Sequence, residues 1–249
     1  MITLAIANQK GGTGKTATAH NLGVLLSDRL HVVMIDTDPQ SSLTRSAGID
    51  PARSLAEVMT GAATMPDIIQ TISNGLDLAP ADIDLAGVEL AIVSRIGRET
   101  ILKRAMQKLS GYDLALIDCG PSLSMLTVNA LTAADAVLIP TQPQAVDLRG
   151  LTLFMQTIDQ VKTELNPGLE VIGILPTFYD NRLNHHKQAV ETMQAAGLPV
   201  LPVMIGRSVR VAEASGAGQA VATFEPNNPQ AENYRQLAEV VFQWLKKTM

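Results

Sequence analysis

A short aliphatic run, Ile2–Ala7, passes directly into Asn8-Gln9-Lys10-Gly11-Gly12-Thr13-Gly14-Lys15-Thr16 and from there into a helical pattern. No other feature of the chain narrows its fold as much. Glycines in such a turn let successive backbone N–H groups point inward as an anion-binding nest, and the helix that follows presents the positive end of its dipole to the same place. A phosphate belongs there. Lys15 supplies a point charge for β and γ phosphates, and the Thr16 hydroxyl is placed to hold Mg²⁺. Lys10, Gly11, Gly12, Thr13, Gly14, Lys15, Thr16 and Ala17 are therefore the candidate nucleotide-binding residues. The plainer alternative, a glycine-rich turn with no ligand, leaves Gly-Lys-Thr at a helix start unexplained.

Two details complicate the match. Gln9 stands where the usual phosphate loop has its first glycine. The spacing Gly12-x-Gly14-x-x-Ala17, with Asp36 or Asp38 about 20 residues further on, also fits the dinucleotide-binding fingerprint. A dinucleotide site, however, has no use for Lys10 or for the Lys15-Thr16 pair.

Short apolar runs recur along the chain at Ile2–Ala7, His31–Ile35, Leu76–Ala79, Leu114–Ile117, Ala136–Ile139, Val171–Leu175 and Val200–Val203. Most are continuous rather than alternating, as strands buried on both faces of a parallel sheet must be. Helical patterns separate them at Lys15–Leu30, Leu85–Leu109, Ser124–Ala133, Leu148–Leu165, His185–Ala196 and Gln230–Lys247, while 50–74 reads as short helices on one edge. Strand and helix in alternation predict an α/β fold, a doubly wound, mostly parallel sheet flanked by helices. With 249 residues, 46% of them hydrophobic, and no linker or repeat, one domain over 1–249 is expected. The single cysteine, Cys119, excludes an internal disulfide, and no apolar run reaches the roughly 18 residues of a membrane span, so a cytoplasmic protein is expected.

Two strands end in acids. Asp36-Thr37-Asp38-Pro39-Gln40 follows the second, and Asp118-Cys119-Gly120-Pro121 a later one. Carboxylates at the C-terminal ends of parallel strands face the crevice where such sheets bind ligands. Asp118, after four apolar residues, reads as the acid that holds Mg²⁺ through water, and Asp38 as the group that orients an attacking water. Phosphoryl transfer needs positioning and charge neutralisation, for which Lys10, Lys15, Mg²⁺ and Asp38 suffice. The alternative for Asp38 is an Asx-type cap of the segment after Pro39.

These residues resemble a known family. Lys10-Gly11-Gly12-Thr13-Gly14-Lys15-Thr16 is similar to the deviant Walker A motif of the ParA/MinD ATPases, which lacks the first glycine and adds a signature lysine, here Lys10. Asp36–Gln40 resembles the family's switch I, and Asp118–Ser122 its Walker B and switch II, with Gly120-Pro121 where two prolines are common. Leu131–Asp135 and Pro140–Pro143 continue the match, which covers essentially the whole chain. The resemblance implies that Lys10 reaches across an ATP-bound homodimer to the other subunit's phosphates, and that Asp38 is needed for hydrolysis. The chain most resembles small ParA proteins of the Soj type, since it begins at its first strand with no helix-turn-helix segment before it; sequence-specific repression is not expected.

Charge is unevenly distributed. Residues 1–148 carry 10 Lys/Arg against 15 Asp/Glu, whereas 149–249 carry 9 of each, so the net charge of −5 is N-terminal. Between Asp180 and Arg210, Arg182, Lys187, Arg207 and Arg210 outnumber Asp180 and Glu191. Such residues are usually solvated surface, yet a shared face would give sequence-independent phosphate contacts with DNA. The resemblance places DNA-binding arginines at Arg182 and Arg210, with Arg207 and Lys187 beside them. His185 and His186 point about 100° apart on a helix and lack ligand spacing, so they read as surface.

The resemblance thus implies a Mg-dependent ATPase that dimerises around ATP, binds DNA nonspecifically, and drives partition of a plasmid, chromosome or other cargo with a ParB-like or other adaptor protein. Two alternatives use the same fold. A metabolic phosphoryl-transfer enzyme would have little need of Lys10. A MinD-like membrane positioner carries a C-terminal amphipathic helix, whereas Val240, Val241, Trp244 and Leu245 here read as core-facing. An iron–sulfur relative would need two cysteines per subunit, and the chain has one.

Overall fold

The computed structural model describes residues 1–144 and 147–248, with the backbone alone at 147 and 148. Its centre is an eight-stranded sheet in the order β3-β4-β2-β5-β1-β6-β7-β8. The strands are β1 (Ile2–Ile6), β2 (Val32–Asp36), β3 (Gln70–Ser73), β4 (Leu76–Ala79), β5 (Leu114–Asp118), β6 (Ala136–Thr141), β7 (Glu170–Tyr179) and β8 (Ile205–Gly206). All neighbours are parallel except β3 and β4, which form an antiparallel hairpin at one edge.

The continuous apolar runs have the expected cause. Alternate residues point to opposite faces, and both faces are covered. Leu4, Ile6, Val32, Met34, Leu114, Leu116, Ala136 and Leu138 pack against α1 (Lys15–Ser27) and α11 (Pro229–Thr248) through Leu22, Leu26, Tyr234, Leu237 and Val241. Ala5, Val33, Ile35, Ala115, Ile117, Val137 and Ile139 pack on the other face. There they meet α3 (Leu55–Thr60), α4 (Leu85–Ile92), α5 (Ile101–Met106), α6 (Met125–Ala133), α7 (Asp147–Glu164) and α8 (Asn184–Ala195). Short α2 (Ser42–Ser46), α9 (Val209–Gly216) and α10 (Val221–Phe224) complete the chain. Helix α1 lies close on β2 because residue 23 is glycine: a Cβ there would meet the Met34 sulfur at 2.5 Å.

Three sequence expectations change. The helix over Leu85–Leu109 is broken, because Gly97 adopts φ 67° and a 3₁₀ turn at Arg98–Thr100 separates α4 from α5. The uncertain stretch holds α3, closed by a Ser54–Glu57 capping box, but also β3, which short helices alone did not anticipate. Val200–Val203 is no strand. Only Val200 bridges Ile174, and the edge strand is β8, because Pro199 and Pro202 lack the N–H that a ladder requires.

Candidate active site

The C-terminal ends of β1, β2 and β5 come together. Register pairs Ile6 with Asp118 and Asp36 with Asp118, so the loop after β1 and both acidic segments open onto one edge. Gly12 (φ 71°) and Gly14 (φ 84°) take left-handed backbone that a side chain would strain, which lets the loop wrap into α1. Gly14 is the N-cap and offers no side-chain cap, so the first N–H groups of α1 remain for an anion.

The loop's carbonyls are tied down from outside. Gln142 Nε2 donates to Gly12 O at 2.8 Å, Thr177 Oγ1 to Thr13 O at 2.9 Å and Lys15 Nζ to Lys10 O at 3.0 Å. Lys15 is 6% exposed. Burial lowers its pKa, while Asp118, Cys119 and Asp38 pull it back toward the charged form.

The three carboxylates differ in what they touch. Asp36 is saturated: Oδ1 accepts from Asp38 N at 3.0 Å, and Oδ2 from Thr44 N at 2.9 Å and Thr44 Oγ1 at 2.8 Å. Burial nonetheless pushes its pKa up to about 6. It holds the Asp36–Gln40 segment in shape. Asp38 Oδ1 accepts from Gln40 N at 2.9 Å, so an Asx turn is present alongside its position at the site.

Asp118 is fully buried, and neither carboxylate oxygen has a hydrogen-bond partner. The Thr16 hydroxyl stands beside it, outside hydrogen-bonding geometry, and favours the ionised form as Lys15 does. Burial and then the Asp36 charge outweigh them and hold the pKa well above the usual carboxylate range. A carboxylate held dry with no donor, next to a hydroxyl, is a poor structural feature and a good donor set for a hard cation such as Mg²⁺.

The segment after Asp118 lies between the phosphate loop and the Asp36–Gln40 segment. A Cβ on Gly11 would touch Pro121 at 3.6 Å, and one on Gly120 would touch the Asp38 carboxyl at 3.5 Å. Cys119 is buried, and desolvation pushes its thiol up to about 12, which leaves it a neutral packing group.

Beside the loop lies an apolar cavity of about 130 Å³, lined by Gly14, Ala17, Phe178, Ile205, Val211 and Tyr234 among others. Phe178 is a non-glycine residue at φ 51°, with 39% of its surface exposed. Strain of this kind persists where neighbours enforce it, commonly at functional sites. Sequence reading missed this wall, since the only signal was an aromatic residue just past a buried strand. It also missed Asn8, Gln142 and Thr177, whose roles depend on what crosses from β6 and β7.

A family model described as an AAA domain matches residues 1–171. The chromosome partitioning protein ParA of Caulobacter vibrioides is 41% identical over 247 residues, spanning 96% of this chain and 92% of that protein. The sporulation initiation inhibitor protein Soj of Bacillus subtilis is 40% identical over 245 residues, 96% of this chain and 97% of that one. The chain belongs to the ParA/MinD family of P-loop ATPases. Its fold also matches a crystal structure of cobyrinic acid a,c-diamide synthase from Mycobacterium smegmatis with bound ADP and magnesium. That match has a TM-score of 0.87 and 37% identity, and covers 100% of this chain and 97% of that one.

In this ParA-type chain the basic residues differ in their surroundings. Arg182 and Arg207 line a single groove of about 610 Å³ with Asn181, Gln230 and Asn233. Arg182 is gripped by Asp180, Nη2 to Oδ2 at 2.7 Å and Nε to Oδ1 at 3.0 Å, and that guanidinium holds the Asp180 carboxyl far below its usual range. Arg210 pairs with Glu213 at 2.7 Å and Glu225 at 3.4 Å. Lys187 is exposed on α8, and among the described residues neither it nor Arg207 makes an ion pair.

His186 corrects its expected surface role: it is 6% exposed, and its Nδ1 accepts from Asp180 N at 3.0 Å, which helps shape the Asp180–Arg182 turn. Among the described residues no cluster of ligating side chains gathers around the histidine pair. At the C-terminus Val241 and Leu245 are buried and Val240 and Trp244 pack against them, as their spacing requires. Among the described residues, no helix is long and apolar enough to cross a membrane.

Proposed function

We propose that residues 1–249 form one Mg-dependent ATPase domain that closes on ATP as a homodimer, binds DNA nonspecifically in that state and lets go after hydrolysis. The observation that carries this reading is Asp118, a dry carboxylate with no partner, next to Lys15 and Thr16 at the mouth of an uncapped phosphate loop. Gly11 to Ala17 cradle the phosphates through backbone N–H groups, and the adjacent apolar cavity takes the base. Lys15 leaves the Lys10 carbonyl for the β and γ phosphates. Thr16 and Asp118, the latter through water, would hold Mg²⁺, which when bound neutralises charge on the phosphates. Asp38 orients the attacking water, and Lys10 adds its charge from the other subunit.

Arg182, Lys187, Arg207 and Arg210 are the proposed DNA contacts. The cargo is a chromosome, plasmid or other body, in keeping with the name of the Caulobacter relative, and a ParB-like or other adaptor stimulates turnover. The protein works in the cytoplasm, on the nucleoid when ATP is bound. The Mycobacterium relative's name keeps a metabolic reading in view. A DNA titration separates the readings: tight binding with ATP and weak binding with ADP, insensitive to sequence and falling steeply with salt, is expected. Equal binding in both nucleotides would refute the ATP switch, and no binding in either would favour the metabolic enzyme. Vesicle sedimentation with ATP tests the MinD-like alternative.

A further inference from the structure

Lys10 lies at the start of the phosphate loop, where its backbone must be held if its side chain is to leave its own subunit in a defined direction. Its carbonyl is held within the loop by Lys15 Nζ, and its N–H by Asn8. The Asn8 side chain is 5% exposed and makes three hydrogen bonds. Its amide nitrogen donates to Pro140 O at 2.7 Å and to Thr141 Oγ1 at 3.1 Å, both at the end of β6. Its amide oxygen accepts from Lys10 N at 3.0 Å. The orientation of the amide follows from these partners, since two acceptors face the nitrogen and a donor faces the oxygen. Thr141 Oγ1 donates in turn to Ile139 O at 3.3 Å, which leaves its lone pair for Asn8.

The rest of the cradle is held independently. Gly12 O is tied by Gln142 and Thr13 O by Thr177. Loss of Asn8 therefore frees the Gln9–Gly11 segment from β6 while those two ties remain.

We propose that Asn8 is the positioning residue for Lys10, anchoring the lysine's backbone to β6 so that its charge is delivered across the dimer interface and not to its own loop. This rests on the ATP-dimer reading above. Asn8 touches no phosphate; it acts through Lys10.

The test compares Lys10→Ala, Asn8→Ala, Thr141→Val and Thr141→Ser with the parent in the full chain. Readouts are the Kd for a fluorescent ATP analogue, kcat, and ATP-dependent dimerisation by sedimentation velocity. Asn8→Ala should lower kcat and weaken dimerisation by about 10-fold or more, as removal of a supporting partner commonly does, while the nucleotide Kd stays within about 3-fold. Thr141→Val, which keeps the β-branched shape that suits a strand, should show a smaller loss of the same pattern, and Thr141→Ser should restore parental values. If Asn8→Ala does not fold, the Thr141 pair carries the test alone.

Parental kcat and dimerisation in Asn8→Ala, or in Thr141→Val where Asn8→Ala does not fold, would overturn the proposal. So would a nucleotide Kd that weakens as much as kcat falls, since Asn8 would then support the cradle as a whole. If Lys10→Ala itself dimerises and hydrolyses like the parent, the dimer reading fails and this inference with it. A damaged Lys10→Ala beside a parental Asn8→Ala refutes the inference alone.

Discussion

Asp118→Asn should make the nucleotide-free protein more stable while disabling it. The carboxyl is fully buried, its oxygens lack partners, and burial together with Asp36 holds its pKa well above the ordinary value against the pull of Thr16 and Lys15. A carboxyl whose folded pKa is raised contributes most to stability below its unfolded pKa, about 3.9, and that contribution is lost as pH rises through the folded value. Once pH has risen through the folded value the parent carries this loss and the uncharged amide does not. The amide remains a buried polar group, but burying the ionised carboxylate costs more than burying a neutral one; a difference of about 2 kcal/mol, the order of such penalties, raises the Tm of a chain of this size by roughly 4–8 °C. Thermal unfolding followed by circular dichroism in EDTA from pH 8 downward measures it, and the gap should narrow as pH falls and the parental carboxyl takes up its proton. Adding Mg²⁺ and ATP should reverse the order, because only the parent gains binding energy in the folded state. A Tm for Asp118→Asn equal to or below the parent at pH 8 in EDTA would refute the argument that this carboxylate is dry and unpartnered.

Lys15→Ala should weaken ATP binding by at least about a hundredfold, the equivalent of a few kcal/mol of charge-assisted hydrogen bonding, as measured by calorimetry. Asp38→Ala should bind ATP and dimerise but hydrolyse too slowly to release, seen as a persistent ATP-dependent dimer with phosphate release near background; a parental rate would leave only the Asx turn to Gln40 as its role. Arg182→Glu and Arg210→Glu should each weaken ATP-dependent DNA binding without changing nucleotide affinity. Each should lower the slope of log affinity against log salt by about one unit for every DNA phosphate the protein no longer neutralises, measured by interferometry at several salt concentrations.

The phosphate loop, its lysines and the acids at the ends of β2 and β5 were legible in sequence because their chemistry is local. A loop that must wrap into a helix needs glycine at positive φ, which Gly12 and Gly14 supply, and a strand buried on both faces needs the unbroken apolar runs that precede Asp36 and Asp118. The doubly wound sheet follows from the same runs. Strand periodicity, however, does not say which neighbour supplies a hydrogen bond. That Asp36 is saturated by Thr44 while Asp118 has no partner depends on where switch I folds back, and the two acids look alike in the chain.

Edges and surfaces were the least legible. The strand at β8, displaced from Val200–Val203 by two prolines, and the break at Gly97 both turn on single backbone positions within otherwise convincing patterns. Counting charges places four basic residues between 182 and 210. Only the tertiary structure decides that Asp180 grips Arg182, that Glu213 and Glu225 pair with Arg210, and that Arg207 shares the Arg182 groove. Asn8 is the same lesson at the site: an ordinary polar residue in sequence, it becomes the tie between Lys10 and β6 because parallel strands distant in the chain end side by side. Composition and short-range pattern determine which chemistry the chain carries, since those constraints act between near neighbours. Which groups are dry, paired or aimed is decided by how loops fold back and strand ends meet, at the site through contacts such as Asn8–Pro140, Gly12–Gln142 and Thr13–Thr177 between residues more than a hundred positions apart, which no local pattern encodes.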